Sequence, residues 1–241
     1  MRVVTWNVLH RVHAINWKEA AADAFADEAT RIAAITARID AWLGADIDVI
    51  ALQEASGDQL ASVRMLPGVT ILEHTYPRVP RLRHHAQGVD HGLRDVHEHL
   101  VVIARGDSRK LEARTFDKDP GKGFLAVDVE GVRVVCTHVS FGPKGIAQAA
   151  VLVDASPAPS VVLGDFNAPR TAVKIAFGDG FVISDTDGQR PSRRGSAERA
   201  GWTIDHVLVR GGRVTSATVH DGGGLSDHEP VEAKVAFSGR K

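Results

Sequence analysis

The sequence predicts an α+β layered sandwich. Short apolar runs that stop at a polar or charged residue recur along the chain, as in Val3–Val8, Ile47–Leu52 and Val161–Leu163. They have the length and composition of buried strands. Helical stretches fall between them without strict βαβ alternation, and tight turns such as Glu130-Gly131 join neighbouring runs into antiparallel pairs. Both features favour layered α+β packing over a doubly wound parallel sheet. With 241 residues the chain is long enough for one domain with a substantial core, and a single domain over 1–241 is expected.

Val3 to Val8 is the first predicted strand, with Asn7 at its end. Asn16 is placed to cap a long helical region from Trp17 to Trp42, stopped by Gly44, whose Ala-rich first part can form a separate helix. Within it Ile32, Ile35, Ile39 and Trp42 share one face. Ile47 to Leu52 is a second buried strand, closed by Gln53-Glu54. A short helix over 58–65 and a strand over 69–72 follow.

Tyr76 to His99 is irregular and holds five of the twelve histidines, at 84, 85, 91, 97 and 99. A loop this long in a compact domain is functional or unstructured. Strands are predicted over 100–104, 110–116, 123–129 and 132–137, the last ending at His138. Pro143 starts a helix to Asp154, since its missing N–H costs nothing at a first turn. The Val161 strand, a short helix over 171–177 and a second loop from Ser184 to Gly201 come next. A strand over 203–209 contains Asp205, and 213–220 is expected to pair with it across Gly211-Gly212. Val231 to Val235 alternates as a final strand.

The formal net charge of −1 excludes a strongly basic nucleic-acid footprint, while a local patch is still allowed. Cys136 is the one cysteine, so no internal disulfide forms. It is expected to be a small buried residue rather than a nucleophile. The first residues do not read as a signal peptide, and no apolar run approaches the ~20 residues that span a bilayer. A cytoplasmic location, no membrane contact and no obligate protein partner are expected.

Two stretches concentrate polar chemistry. Gly164-Asp165-Phe166-Asn167 closes an apolar strand, and Ser226-Asp227-His228 lies between Gly222-Gly223-Gly224 and the final strand. Carboxylates, amides and histidines at strand ends are the groups that hold a hard metal ion and a phosphate.

Thr5-Trp6-Asn7, Leu52-Gln53-Glu54, Thr137-His138, Gly164-Asp165-Phe166-Asn167, Ile204-Asp205-His206 and Ser226-Asp227-His228 stand in the order found in the endonuclease/exonuclease/phosphatase superfamily, the deoxyribonuclease I-like and exonuclease III-like phosphoesterases. The resemblance covers residues 5 to 230. It implies a four-layer α/β sandwich, two packed mixed β-sheets flanked by helices. It also implies a divalent metal, Mg²⁺ or alternatively Mn²⁺, and attack of water on a phosphoester.

Under that resemblance Glu54 is the first choice of metal ligand, because Mg²⁺ takes few protein carboxylates and keeps several waters. Asp227 is a second ligand or positions one. Asn7 binds a carboxylate, a metal-bound water or the phosphate. Asp165 orients or deprotonates the attacking water, and Asn167 holds a phosphate oxygen. Asp205 and His228 resemble the family's Asp-His pair, in which the carboxylate fixes the tautomer and raises the basicity of the ring. His228 then acts either as an imidazolium on the phosphate or as a base. His138 resembles the histidine that donates to a phosphate oxygen or protonates the leaving oxygen.

Two departures narrow the reading. Leu9 stands where many DNA-repair members carry an acid, and Tyr76 is the one tyrosine, in an irregular stretch. Both speak against an abasic-site endonuclease. Arg193 and Arg194, with Arg190 and Arg199 in the same loop, are candidates to clamp substrate phosphates. Trp202 is a candidate to stack on a base, whereas Trp6, Trp17 and Trp42 are assigned to the core. The His84–His99 loop raises the alternative of a zinc-type metallohydrolase dependent on His97.

The expected function is a Mg²⁺-dependent phosphoesterase acting on a phosphodiester, in DNA, RNA or a nucleotide derivative. The alternatives are a phosphatase or phosphodiesterase on a small phosphorylated metabolite or lipid headgroup, and a non-catalytic binding protein of the same fold. The presence of Glu54, Asp165 and His228 speaks against the last.

Overall fold

In the computed structural model, which describes residues 1–25, 27–195 and 200–237, the apolar runs form strands almost where they are predicted. β1 (Arg2–Asn7) is followed by α1 (Arg11–Trp17), α2 (Ala20–Ala24) and α3 (Glu28–Gly44), then β2 (Val49–Ser56) and α4 (Gly57–Val63). β3 (Thr70–Thr75) leads into an irregular segment with one 3-10 turn at His84–Ala86. β4 (Glu98–Ala104), β5 (Ser108–Phe116), β6 (Asp119–Val129) and β7 (Val132–His138) come next. α5 (Gly142–Asp154), β8 (Ser160–Asp165), α6 (Arg170–Phe177) and the short β9 (Val182–Ile183) precede β10 (Asp205–Arg210), β11 (Gly212–Val219) and β12 (Val231–Phe237).

The strands form two six-stranded sheets, ordered β11-β12-β1-β2-β4-β3 and β5-β6-β7-β8-β10-β9. Both are mixed: β1 runs parallel to β2 and β7 parallel to β8, and the other neighbours are antiparallel. Because side chains alternate between faces, each sheet buries two. Val3, Ala51, Val102, Val134, Cys136, Leu163, Val207 and Ala233 meet between the sheets. Trp6, Ile50, Leu52 and Ile103 face outward onto Ile35 and Ile39 of α3 and Leu60 of α4. Phe124, Val135, Val162 and Leu208 face Leu152 of α5 and Val173 and Phe177 of α6. The layers are therefore helix, sheet, sheet, helix, the sandwich the sequence predicts. Among the described residues no helix is long and apolar enough to cross a membrane.

Four local expectations are corrected. The helical region from Trp17 to Trp42 is divided, with the Ala-rich part a separate helix, α2, and a further helix, α1, ends at Trp17; Asp27 caps the long α3 by accepting from Ala29 N at 3.3 Å and Thr30 N at 3.0 Å. Asn16 is buried in α1 instead, its amide bridging Arg81 O at 3.0 Å and Arg83 N at 2.8 Å. Trp17 leaves the core: it is 58% exposed and carries the Arg83 guanidinium 3.7 Å above its ring. β11 pairs with β12 and not with β10, because Gly211 turns the chain at φ 74° out of one sheet and into the other. Glu98 and His99 belong to β4 rather than to the preceding loop.

Candidate active site

The alternation that fills the inter-sheet core also builds the site. Val132, Val134 and Cys136 point between the sheets, so His138, two residues on, points there as well. The same rule carries Asp165 after Val161 and Leu163, Asp205 ahead of Val207 and Val209, and Asn7 after Val3 and Thr5. Pairing registers put them side by side: His138 opposite Asp165 on parallel β7 and β8, and Asp165 opposite Asp205 on antiparallel β8 and β10. Four apolar columns thus end in polar groups at one edge of the sandwich.

Glu54 reaches this cluster by breaking the rule. By alternation it belongs on the outer face with Ile50 and Leu52. A bulge between Leu52 and Ala55, with Glu54 at φ 56°, turns its carboxylate inward. Left-handed backbone at a non-glycine residue is uncommon and costs energy, which the surrounding contacts must hold in place.

Asn7 joins the two sheets. Its amide nitrogen donates to Glu54 Oε1 at 3.2 Å and to Asp165 Oδ2 at 3.1 Å, while its oxygen accepts from Leu9 N at 3.0 Å. The orientation makes Asn7 a holder of both carboxylates. His10 N donates to the other Glu54 oxygen at 3.2 Å. His138 Nε2 lies 3.3 Å from Asp165 Oδ2 and 3.8 Å from Glu54 Oε1. Asn167, at φ 49°, donates from its backbone to Asp165 Oδ1 at 2.9 Å and from its side chain to Val139 O at 2.8 Å.

His228 Nδ1 sits 2.9 Å from Asp205 Oδ2, and its Nε2 is 3.8 Å from Asp165 Oδ2. Its loop is fastened by Trp6 Nε1 donating to His228 O at 3.0 Å and Ser226 Oγ donating to Asn7 O at 2.7 Å. Burial opposes charge on this ring. The carboxylates of Asp205, Asp227 and Asp165 outweigh it and raise the imidazole to about 10. Burial likewise opposes charge on Glu54 and Asp165. His13, His138 and Lys122 outweigh it at Glu54, and His228, His138 and Lys122 at Asp165, so both carboxyls lie well below their usual range. Asp205 is raised, by burial first, although His228 pulls it the other way.

Other expected residues lie at the rim. Asp227 turns to Arg193, with Oδ2 3.2 Å from Nη2, and Arg193 also reaches Glu19 at 3.2 Å. Arg194 pairs with Glu229 at 2.7 Å and Asp221 at 3.5 Å. Trp202 is 53% exposed, on the bridge that pairs Arg193 with it and with His228. Arg199 lies outside the described residues. In the histidine loop, His97 pairs with exposed Asp95 at 2.7 Å and not with the site. Cys136 is buried, and burial pushes its thiol up to about 12.

Lys122, Glu98 with its partner His13, and Ser192 escape a reading of strand ends. Lys122, between Gly121 and Gly123 near the start of β6, contacts His138 Nε2 through its ammonium. Glu98 at the start of β4 is fully buried, and its Oε2 lies 3.0 Å from His13 Nε2. Ser192 Oγ donates to Asp205 Oδ2 at 2.7 Å. A lone lysine between glycines and an acid leading into an apolar run are the signals that point to Lys122 and Glu98.

Among the described residues, ligand atoms of Asp165, Asp205 and His228 lie within 4.8 Å of one another, close enough to hold a metal ion. The chemistry of this set is poor. An imidazolium has no lone pair to give, and Asp205 Oδ2 is already taken by His228 and Ser192. Glu54 fits a hard divalent cation better, as an anionic oxygen donor beside a second carboxylate, Asp165.

A model of the Endonuclease/Exonuclease/phosphatase family matches residues 4–228. No curated protein matches. Among solved structures, a functionally unknown conserved protein from Enterococcus faecalis V583 is similar at a TM-score of 0.68 and 17% identity, over 99% of this chain and 100% of that one. D. rerio TDP2 complexed with single-strand DNA product gives 0.65 and 13%, over 98% and 99%. A mannosyl-6-phosphatase from Bacteroides thetaiotaomicron gives 0.64 and 17%, over 98% and 100%.

Proposed function

We propose that this chain, which belongs to the endonuclease/exonuclease/phosphatase family, is a single-domain, cytoplasmic phosphoesterase that uses a divalent cation, Mg²⁺ or Mn²⁺, to hydrolyse a phosphodiester. The observation that carries this reading is the Asn7 amide held between Glu54 and Asp165, beside the buried Asp205–His228 pair. When bound at Glu54 the cation supplies charge for the phosphate oxygens and lowers the pKa of water.

The remaining work falls to the protein. Asp165 is too acidic to serve as a strong proton acceptor, so its role is to orient the attacking water, with Asn7 and Asn167 fixing its two oxygens. His228 stays protonated at neutral pH and presents Nε2 as a fixed cationic donor to a phosphate oxygen. Asp205 holds its Nδ1–H and its charge. His138 and Lys122 face the same carboxylates and are placed to receive the leaving oxygen.

A nucleotide-like substrate is supported by two exposed aromatic residues beside the site, Phe141 at 55% and Trp202 at 53%. They follow His138 and precede Asp205 in the chain, where rings can stack on bases. A small phosphorylated metabolite is the second reading, and the likeness to the mannosyl-6-phosphatase fold favours it.

The test is hydrolysis of bis-p-nitrophenyl phosphate and of labelled single- and double-stranded DNA and RNA, with Mg²⁺, Mn²⁺ or EDTA, by wild type and Asp165→Ala. Cleavage that requires both metal and Asp165 is expected. Turnover that survives EDTA or Asp165→Ala would refute the assignment.

A further inference from the structure

The chemistry above uses one face of the segment Ile204-Asp205-His206. Asp205 points between the sheets and holds His228 Nδ1 at 2.9 Å. By alternation His206 points the other way, towards the helical layer, and it is completely buried there. Its ring lies 5.8 Å from the Phe166 ring, which packs in turn on Phe177 at 5.7 Å. Burial lowers the imidazole to about 4, against the opposing pull of the Ala168 carbonyl and Asp165, so the ring is neutral at physiological pH and carries one N–H. A carbonyl can only accept, so that hydrogen sits on Nε2, which donates to Ala168 O at 2.9 Å. Nδ1 is a buried acceptor with no partner among the described residues, and such an atom weakens a core. The polar contribution of this side chain is therefore its one bond to Ala168.

Ala168 is the exit of the turn that carries Asp165 and Asn167. The chain enters this turn through two fixed points, Val139 N on Asp165 O and Phe166 N on Ile204 O, both at 2.9 Å. It leaves through the His206 bond. Gly164, opposite His206 in the β8–β10 register, places no side chain between the ring and the turn. Between the two clamps Asn167 stands at φ 49°, an uncommon conformation for a residue with a side chain and one that its surroundings must impose. In that conformation its backbone N–H reaches Asp165 Oδ1 at 2.9 Å.

We infer that His206 is a positioning residue for Asp165: its Nε2–H clamps the exit of the turn, keeps Asn167 left-handed, and through Asn167 fixes the carboxylate oxygen that Asp165 does not give to Asn7. The inference rests on the phosphoesterase reading above and deepens it. One tripeptide then serves both halves of the site. Asp205 orients the His228 imidazole on one face of the sheet, and His206 holds the water-orienting carboxylate from the other.

The first experiment measures kcat and KM for bis-p-nitrophenyl phosphate in Mg²⁺, together with the urea-unfolding midpoint. His206→Phe keeps an aromatic ring beside Phe166 and removes both the Nε2 donor and the partnerless Nδ1. It is expected to lower kcat by about ten- to a hundredfold, the scale of a small misplacement near the reacting groups. KM should stay within about twofold, as for a loss confined to the transition state, and the midpoint should change little. His206→Gln, whose amide nitrogen can donate to the same carbonyl, should recover most of kcat. A packing role alone would tie kcat to the midpoint and give Gln no advantage over Phe. If His206→Phe fails to fold, His206→Leu takes its place.

The second experiment needs no turnover. Amide hydrogen exchange followed by NMR reads the Asn167 N–H directly, since Asp165 Oδ1 holds that proton. Exchange should be faster in His206→Phe by about tenfold or more, as in a local opening, and return towards wild type in His206→Gln. The amides of Val162 and Leu208, paired on β8 and β10, should be unchanged. Hydrolysis by none of these proteins, with the exchange pattern present, refutes the phosphoesterase reading and leaves the clamp standing. Equal Asn167 exchange in wild type and His206→Phe, or a kcat no higher in His206→Gln than in His206→Phe, overturns the clamp.

Discussion

Asp205 Oδ2 accepts from both His228 Nδ1, at 2.9 Å, and Ser192 Oγ, at 2.7 Å. Ser192 in turn accepts from the backbone N–H of Ile204 and Asp205, each at 3.0 Å. The carboxylate is therefore fixed before it fixes the imidazole. Asp205→Asn keeps the shape and removes the charge that holds the ring protonated. It is expected to lower kcat by roughly 10²–10⁴, the range of positioned acid–base groups, with a much smaller change in KM. Steady-state kinetics on a p-nitrophenyl diester measure both, and a kcat within a factor of about two of wild type would remove the pair from the chemistry.

The same ring links stability to pH. His228 titrates near 10 in the folded chain against an ordinary value of 6.5. Between those values the folded state binds the extra proton. This contribution to stability is therefore complete below 6.5, declines as pH rises, and is lost above about 10. The melting temperature of wild type should fall by several degrees across that window, and His228→Gln should flatten the slope. Equal slopes for the two proteins would contradict the assignment.

Metal binding separates Glu54 from the Asp165–Asp205–His228 group. An ion that binds only the folded state raises stability, by about 2.7 kcal/mol at a hundred times its Kd. Mg²⁺ or Mn²⁺ should raise the melting temperature of wild type, and Glu54→Gln should abolish the rise while Asp205→Asn retains it. The opposite pattern would move the ion to the His228 side.

The frame of this site was legible because strand alternation is a sequence property. Val161, Leu163 and Asp165 share a face by counting alone, as do Cys136 and His138. Glu54 is legible as a carboxylate at a strand tip, and as a ligand through the resemblance, but its face is not, since counting sends it outward and a bulge reverses it. Asp227, expected as a ligand or as a group that positions one, has its carboxylate paired with Arg193 from a loop 34 positions earlier, a contact no motif announces. The β10–β11 connection misleads for a similar reason: two adjacent strands and a glycine pair look local, and the choice of sheet is made by long-range packing. Glu98 and Lys122 stand at or near strand starts, where a charged residue is ordinary and signals no site.

Arg31 ties the helical layer to the chemistry. It is 3% exposed and donates to the carbonyls of Val8, Leu9 and Leu225, each at 2.8 Å, with Glu28 on its other edge at 2.6 and 2.8 Å. Val8 and Leu9 follow Asn7, and Leu225 precedes the Ser226-Asp227-His228 turn, so one guanidinium holds both site loops. Arg31→Met leaves the buried Glu28 carboxylate with only the Arg11 guanidinium, 3.9 Å away, and is expected to cost about 3–5 kcal/mol. Adding Glu28→Gln removes that poorly compensated charge and should recover part of the loss in urea unfolding. It cannot restore the three carbonyl contacts, so kcat should stay low in the double variant at temperatures where it is fully folded. If kcat recovers together with stability, the loops keep their positions without Arg31, and its role is confined to packing.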